Sequence, residues 1–164
     1  MSKIRNIAIN VSKKNVVLRK IIRSFNSFIR KINYKISSFG VKVDEKTLLF
    51  CCFNGKSYSC SPKAIYEYMI NTDEFKDYKF IWAFSDEKKY KNLEKNKNTS
   101  VVKIRTKEYK KCLAKAKYWI FNYKIPDFLY PKKNQIFVQC WHGTPLKRLG
   151  CDLEHFDNVL NTID

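Results

Sequence analysis

The sequence predicts an α/β protein in which a Rossmann-like parallel sheet has helices on both faces and is preceded by a basic amphipathic helix. After residue 43, short apolar runs of strand length alternate with segments of helical character. Such alternation is typical of parallel sheets that are covered on both sides. Before residue 44 there are eleven Lys or Arg and no Asp or Glu, whereas the rest of the chain is only moderately basic. The formal charge of +18 over 164 residues therefore lies disproportionately at the start.

The first predicted element is a helix over residues 16–39 that ends near Gly40. Its Val, Leu, Ile and Phe residues recur every three or four positions, which draws one apolar stripe along a helix. Much of the remaining surface is cationic, with Arg19, Lys20, Arg23, Arg30 and Lys31. This pattern favours a helix in the interface of an anionic bilayer. The alternative is a helix packed on the domain with its cations in solvent.

Five strands are predicted in the remainder of the chain, at residues 47–53, 78–84, 99–104, 117–123 and 135–141. Helices are predicted after the first strand, with Pro62 as first helical residue, and over residues 107–116. A charged, exposed helix is expected over residues 87–96. The sequence lacks a G-x-G-x-x-G dinucleotide fingerprint, so a nucleotide cofactor of that kind is not expected.

The six cysteines do not form a metal-binding pattern. There is no C-x-x-C pair and no Cys/His group at zinc spacing, so we expect no metal and no cofactor. Free thiols in a reducing cytosol are the expectation, with Cys51 and Cys52 on opposite faces of a strand. No run approaches the roughly 18 apolar residues of a membrane span. The chain is therefore expected to lie on a membrane rather than to cross one.

A short loop, QCWHGTPLKRLGCD at residues 139–152, contains one of two histidines and two of four glycines. His142 follows the last predicted strand, and open α/β sheets bind ligands at the carboxyl ends of their strands. A histidine titrates near neutral pH, and Lys147 and Arg148 add positive charge. The loop thus fits a site for a phosphorylated substrate. A structural, hydrogen-bonded histidine remains the alternative.

Two long motifs resemble a known family. The segment WHGTPLKRLGCD, and FNGKSYSCSPKAIYEYM at residues 53–69, are similar in order and spacing to signatures of the CDP-glycerol glycerophosphotransferases, the teichoic acid primases and polymerases. The stretch AKYWIFNYKIPDFLYPKKNQIFVQCWHGTPLK also matches, so the resemblance covers about residues 48–152. The family commonly has acidic or small polar residues around the first motif, where this chain has Cys51, Cys52 and Cys60.

The resemblance implies a GT-B enzyme that transfers glycerol phosphate from CDP-glycerol to a lipid-linked teichoic acid acceptor and releases CMP. It implies His142 as the base that deprotonates the acceptor hydroxyl. Substrate oxygens would be held by two groups of residues on the same edge. The substrate-binding set is Asn54, Gly55, Lys56, Ser57, Gly143, Thr144 and Lys147.

The expected organisation is a membrane-associating segment at residues 1–43 and an acceptor-side Rossmann-like domain at residues 44–164. The family's C-terminal domain, which holds the CDP-glycerol donor, is expected to be absent, so the chain alone is expected to be inactive. Its partners would be CDP-glycerol through that further domain, a lipid-linked polyol-phosphate acceptor and an anionic membrane, with the protein peripheral on the cytoplasmic face. Two alternatives stay open. One is a non-catalytic membrane-binding remnant or scaffold. The other is a nucleic-acid-binding domain, which the charge allows but the apolar stripe disfavours, because an apolar helix face has no use on a duplex.

Overall fold

The computed structural model describes residues 16–126 and 129–141 and places five strands in one sheet. All four neighbouring pairs are parallel, in the order β3-β2-β1-β4-β5. The predicted α/β class with a Rossmann-like parallel sheet is therefore confirmed. The strands are β1 (Asp44–Cys51), β2 (Lys79–Phe84), β3 (Thr99–Lys103), β4 (Ala116–Phe121) and β5 (Ile136–Gln139).

In the part of the chain that the structure describes, three α-helices accompany the sheet: α1 (Val16–Ser38), α2 (Cys60–Ile70) and α3 (Lys107–Lys115). Each lies where the sequence predicts a helix, but α2 begins at Cys60, so Pro62 is in its first turn rather than at its first position. Pro is still tolerated there because the amides of a first helical turn have no intrahelical partner. The turn after α1 contains Gly40 with a φ of +71°, which agrees with the predicted helix end.

The expected charged helix over residues 87–96 is instead a 3₁₀ segment, Lys88–Lys95. Tyr90 departs from helical geometry with a φ of −114°, and its ring stacks on that of Phe84 with 4.0 Å between centroids. Leu93 is the one buried residue of the segment. With so little apolar surface to bury, packing of Tyr90 on the sheet decides the local conformation.

The sheet separates two apolar clusters, as expected for a parallel sheet with helices on both faces. Alternate residues along β1 and directly after it enter different clusters: Leu49 and Cys51 lie with Trp119 on one face, and Phe50 and Cys52 lie on the other. Tyrosine and leucine side chains of α1 and α3 cover the first face. Residues of α2 and the 3₁₀ segment cover the second. The prediction that Cys51 and Cys52 point to opposite faces is confirmed.

Helix α1 packs on the domain through its polar side. Tyr34 and Ser37 are buried, and Asn33 Oδ1 accepts a 3.4 Å hydrogen bond from Lys110 Nζ on α3. The apolar stripe faces away from the domain: Phe25, for example, is 63% exposed. The other exposed members of the stripe are Val17, Ile21, Ile22, Phe28, Ile29, Ile32 and Ile36, followed by Phe39.

Candidate functional site at the carboxyl edge of the sheet

The strand order creates one crevice at the carboxyl edge of the sheet. From β1 the chain builds β2 and β3 on one side, and then crosses to place β4 and β5 on the other. The loops after β1 and β4 therefore diverge at a topological switch point, where ligands bind in open α/β sheets. The predicted binding residues 54–57 lie in the first of these loops.

Asn122, the first residue after β4, ties the two loops together. Its side chain is fully buried, its Oδ1 accepts a 2.8 Å hydrogen bond from Phe53 N, and its Nδ2 donates to Cys52 Sγ at 3.1 Å. Burial of an amide requires such partners. Asn122 therefore fixes the start of the β1 loop relative to β4.

The β1 loop turns through left-handed backbone conformations. Phe53, Asn54 and Gly55 have φ values of 46°, 55° and 78°. Gly55 O accepts hydrogen bonds from Ser85 N at 2.8 Å and Ser85 Oγ at 3.0 Å, just beyond β2. A Cβ at Gly55 would lie 2.8 Å from Ser85 N. Glycine is needed here both for its conformation and for the close approach of backbone to backbone.

Lys56 and Ser57 have different surroundings. Lys56 is exposed, and its carbonyl accepts a 3.4 Å hydrogen bond from Tyr90 OH. Ser57 is half-buried, and its hydroxyl lies 2.8 Å from Ser59 Oγ. The cation is thus the more accessible of the two groups at this edge.

A cavity of about 400 Å³ adjoins this loop on the α1 side of the sheet. Asn54 lines it together with residues of α1, of α3 and of the segment after β4. Four cations contribute to its wall, and none of its described lining residues is Asp or Glu. These cations are Arg30, Arg105, Lys110 and Lys124.

Three tyrosines form part of the same wall: Tyr34, Tyr109 and Tyr123. Burial raises the pKa of Tyr123, whose hydroxyl is hydrogen-bonded to Cys51 and Tyr109. Burial also raises the pKa of Tyr34 to about 12. Its hydroxyl is buried and has no hydrogen-bond partner among the described residues. Tyr34 is therefore a neutral phenol at physiological pH with an unused donor.

The other predicted site residues, His142, Gly143, Thr144 and Lys147, lie outside the described residues. The described chain ends beside the crevice: Cys140 N donates a 2.6 Å hydrogen bond to Phe121 O at the end of β4. Trp141, immediately before His142, is half exposed. Of the predicted membrane cations, Lys20, Arg23, Arg30 and Lys31 are exposed on α1, and the side chain of Arg19 is not described. Arg30 also lines the cavity.

Several residues of this edge were not predicted. The fourth strand was predicted to run to residue 123 but ends at Phe121. Asn122 was therefore assigned to the strand and was not considered as a loop residue of the site. Arg105 and Lys124 follow the ends of β3 and β4, so charge just after predicted strands was an available signal. Tyr34 and Lys110 come from helices, and their meeting depends on how α1 packs, which the sequence pattern does not specify.

Within the described ranges, no group of three or more His, Cys, Asp or Glu side chains is arranged to hold a metal ion. No helix in this part of the chain is long and apolar enough to cross a membrane. The five described cysteines, at positions 51, 52, 60, 112 and 140, are free thiols.

The strand order, the crevice and the cavity define a Rossmann-like domain of the class that binds ligands at a topological switch point. The chain belongs to the CDP-glycerol:poly(glycerophosphate) glycerophosphotransferase family, whose model matches residues 32–162. The resemblance inferred from the two motifs is thereby confirmed, and the family is one of transferases.

Three curated relatives are similar over most of this chain. The teichoic acid poly(glycerol phosphate) polymerase of Staphylococcus epidermidis is 38% identical over 144 residues, 86% of this chain. The polymerase of Bacillus subtilis is 35% identical over 147 residues, or 87% of this chain. The teichoic acid glycerol-phosphate transferase of Staphylococcus aureus is 36% identical over 115 residues, 70% of this chain. The chain spans 18%, 19% and 28% of the three relatives' lengths.

Solved structures of the wall teichoic acid polymerase TagF have the same fold. One, of a variant soaked with CDPG, has a TM-score of 0.63 and 32% identity over 81% of this chain. Another variant has a TM-score of 0.61 and 35% identity over 94%. The matches cover 34% and 35% of those chains. The likeness confirms the GT-B expectation for this α/β unit.

Proposed function

We propose that this chain is the acceptor-side part of a glycerophosphotransferase that moves glycerol phosphate from CDP-glycerol to a lipid-linked teichoic acid acceptor. The observation that carries the proposal is the family match over residues 32–162, on a domain that has a cationic, ligand-sized pocket beside the crevice at its carboxyl edge. The donor, CDP-glycerol, would be held chiefly by a further domain of the whole enzyme. This chain would bind the acceptor and supply a general base.

In the proposed reaction, an acceptor hydroxyl oxygen attacks the phosphorus that bears the glycerol of CDP-glycerol. A new oxygen–phosphorus bond forms, the bond from that phosphorus to the CMP oxygen breaks, and CMP leaves. His142 accepts the hydroxyl proton, since a neutral imidazole is a suitable base near neutral pH. Phosphoryl transfer otherwise depends mainly on positioning and on stabilising charge.

The charge on the transferred phosphate would be stabilised by cations and backbone amides of the two predicted loops. Lys56 and Lys147 would supply positive charge, and the exposed position of Lys56 supports this role. Asn54 and Gly143 would contribute amide or backbone groups beside the acceptor. Gly55 would set the shape of the first loop through its contact with Ser85. Ser57 and Thr144 would contribute hydroxyls.

The proposal also places the protein peripherally on the cytoplasmic face of the cell membrane. The support is the orientation of α1, whose large apolar side chains point away from the domain and are exposed. Lys20 and Lys31 lie on the same exposed helix. Insertion of the apolar stripe into the bilayer interface, with cations near anionic headgroups, would bring the crevice close to a lipid-linked acceptor.

A chimeric enzyme tests the proposed activity. Residues 32–162 replace the matching segment of the Staphylococcus epidermidis polymerase, and CMP release from CDP-glycerol is measured with a lipid-linked acceptor. We expect turnover within about tenfold of the parent, since a well-aligned homologous domain should keep the reacting groups in position. Residues 1–164 alone should release no CMP. A folded chimera without turnover would instead support the non-catalytic remnant or scaffold.

A further inference from the structure

The 400 Å³ cavity is assembled from parts of the chain that are far apart in sequence. Arg30 comes from α1, Arg105 from the turn after β3, and Lys110 from α3. Of the predicted substrate-binding residues that the structure describes, Asn54 is the one that lines the cavity. Among the residues that the structure describes, the cavity is thus a pocket beside the crevice, lined by α1, α3 and the segments after β3 and β4.

The charge of the pocket selects the class of ligand. Four cationic residues and no described acidic residue line it, so an anion gains favourable interactions from several directions. Guanidinium and ammonium groups are the usual partners of phosphate oxygens. A volume of about 400 Å³ lies within the range of small-molecule sites and exceeds what one phosphate group fills. The ligand should thus carry further atoms beyond phosphate.

Tyr34 independently indicates a ligand site. It is 8% exposed, its hydroxyl has no partner among the described residues, and it lines the pocket. The other two tyrosines of the wall are hydrogen-bonded to each other. A buried hydroxyl without a partner is costly, and a ligand oxygen would remove that cost. The neutral phenol can donate to an acceptor such as a phosphate or polyol oxygen.

We propose that the pocket between α1, α3 and the segment after β4 is a binding site for a glycerol phosphate group, with Arg105, Lys110 and Tyr34 as ligand-binding residues. The choice of glycerol as the polyol rests on the proposed function, whereas the phosphate is argued from the pocket itself. The group has two possible sources: a glycerol phosphate unit of the acceptor, or the headgroup of phosphatidylglycerol.

The site would use both faces of α1. One face bears the exposed apolar stripe, and the other bears Arg30, Asn33 and Tyr34 at the pocket. A helix lying in the bilayer interface would therefore bring the pocket to the depth of lipid headgroups. Binding a glycerol phosphate unit there would hold a membrane-linked chain beside the crevice.

Calorimetric titration of the 164-residue chain with sn-glycerol 3-phosphate tests the site. Lys110→Gln and Tyr34→Phe should each weaken binding by about tenfold, the usual size of losing one hydrogen bond to a charged group. Lys111→Gln is the matched control, because Lys111 is the next residue on α3, is exposed and does not line the pocket. Tyr34→Phe should leave the melting temperature unchanged or higher, since it removes an unpartnered buried hydroxyl.

Sedimentation with phosphatidylglycerol vesicles separates the two sources. Weaker binding of the free ligand by both variants, with vesicle binding unchanged, identifies the acceptor unit. Weaker vesicle binding by both variants, without binding of the free ligand, identifies the lipid headgroup. The proposal is overturned if neither variant changes binding, or if Lys111→Gln weakens binding as much as Lys110→Gln does. A lower melting temperature for Tyr34→Phe would also overturn it. The titration needs no CDP-glycerol or turnover, so its outcome is independent of the chimera's activity.

Discussion

Gly55 shows how one residue fixes the geometry of the predicted substrate loop. Its φ of +78° lies in the left-handed region, and a side chain there would meet backbone atoms at the end of β2. Gly40 has nearly the same φ, +71°, but nothing lies within 4 Å of the place where a Cβ would be. A side chain at Gly40 would thus cause backbone strain alone, whereas one at Gly55 would cause both backbone strain and a steric clash.

Gly55→Ala should destabilise the domain more than Gly40→Ala. We expect Gly40→Ala to lower the free energy of unfolding by about 1 kcal/mol, the cost of a left-handed alanine. Gly55→Ala adds a contact with the Ser85 amide that rigid backbone cannot relieve, so we expect about 3 kcal/mol. Urea denaturation of both variants measures the difference. Equal losses would mean that the loop moves freely away from β2.

The cysteines differ in reactivity because they differ in burial. Burial raises the pKa of Cys51 to about 12, so its thiol stays protonated at neutral pH. Cys52 is also buried, and its thiol donates to Ser59 O at 3.2 Å. The Cys51 thiol therefore cannot act as a charged group toward substrate. Cys60, in contrast, is exposed.

Iodoacetamide labelling at neutral pH should modify Cys60 and leave Cys51 and Cys52 unmodified until the protein unfolds. The reason is that alkylation requires an accessible thiolate. Peptide mass mapping with and without urea gives the sites. Labelling of Cys51 in the folded protein at the rate of Cys60 would contradict the described burial.

At the scale of elements, apolar runs were sufficient to locate all five strands. Each predicted strand overlaps an observed one, because strands of a parallel sheet that helices cover are rich in apolar residues. Its ends are less well marked: the first predicted strand extended to Phe53, which begins the left-handed turn instead. Contacts between loops, such as those of Asn122 and Ser85, set these ends and involve residues distant in sequence.

Helix α1 was correctly placed along the sequence, but its periodicity alone could not say which face packs on the domain. An apolar stripe usually faces the core. Here Tyr34 and Ser37 face it, and the stripe is exposed. The membrane interpretation and the packed-helix alternative are therefore compatible, since they use opposite faces. That the stripe enters a bilayer stays a prediction.

Substitution of Phe25 and Phe28 by serine should reduce sedimentation with anionic liposomes by at least about tenfold, because burial of each aromatic side chain in the interface is worth about 1.5–3 kcal/mol. Both rings are exposed on α1, so the melting temperature should not fall. Tyr68→Ser is the matched control, with an aromatic ring 67% exposed on α2. Undiminished liposome binding by the double variant would refute the role of the stripe.

At the scale of the whole molecule, the cationic pocket lies beside the crevice between β1 and β4, and α1 lines this pocket with one face while its apolar stripe is exposed on the other. The alternation of apolar strands with helices predicted the fold class, and two sequence motifs predicted the family. The pocket was not, because Arg30, Arg105 and Lys110 are brought together only by the packing of α1 and the strand order. The proposed chemistry of the crevice depends on His142, which lies outside the described residues.

The most direct measurement is CMP release by the chimeric enzyme after His142→Ala. Loss of a general base should lower turnover by about 10²–10⁴-fold, with melting temperature and liposome binding unchanged. His155→Ala, the other histidine of the chain, is the control and should keep near-parental turnover. Near-parental turnover by a well-folded His142→Ala enzyme would contradict the account and reduce the loop to a structural element.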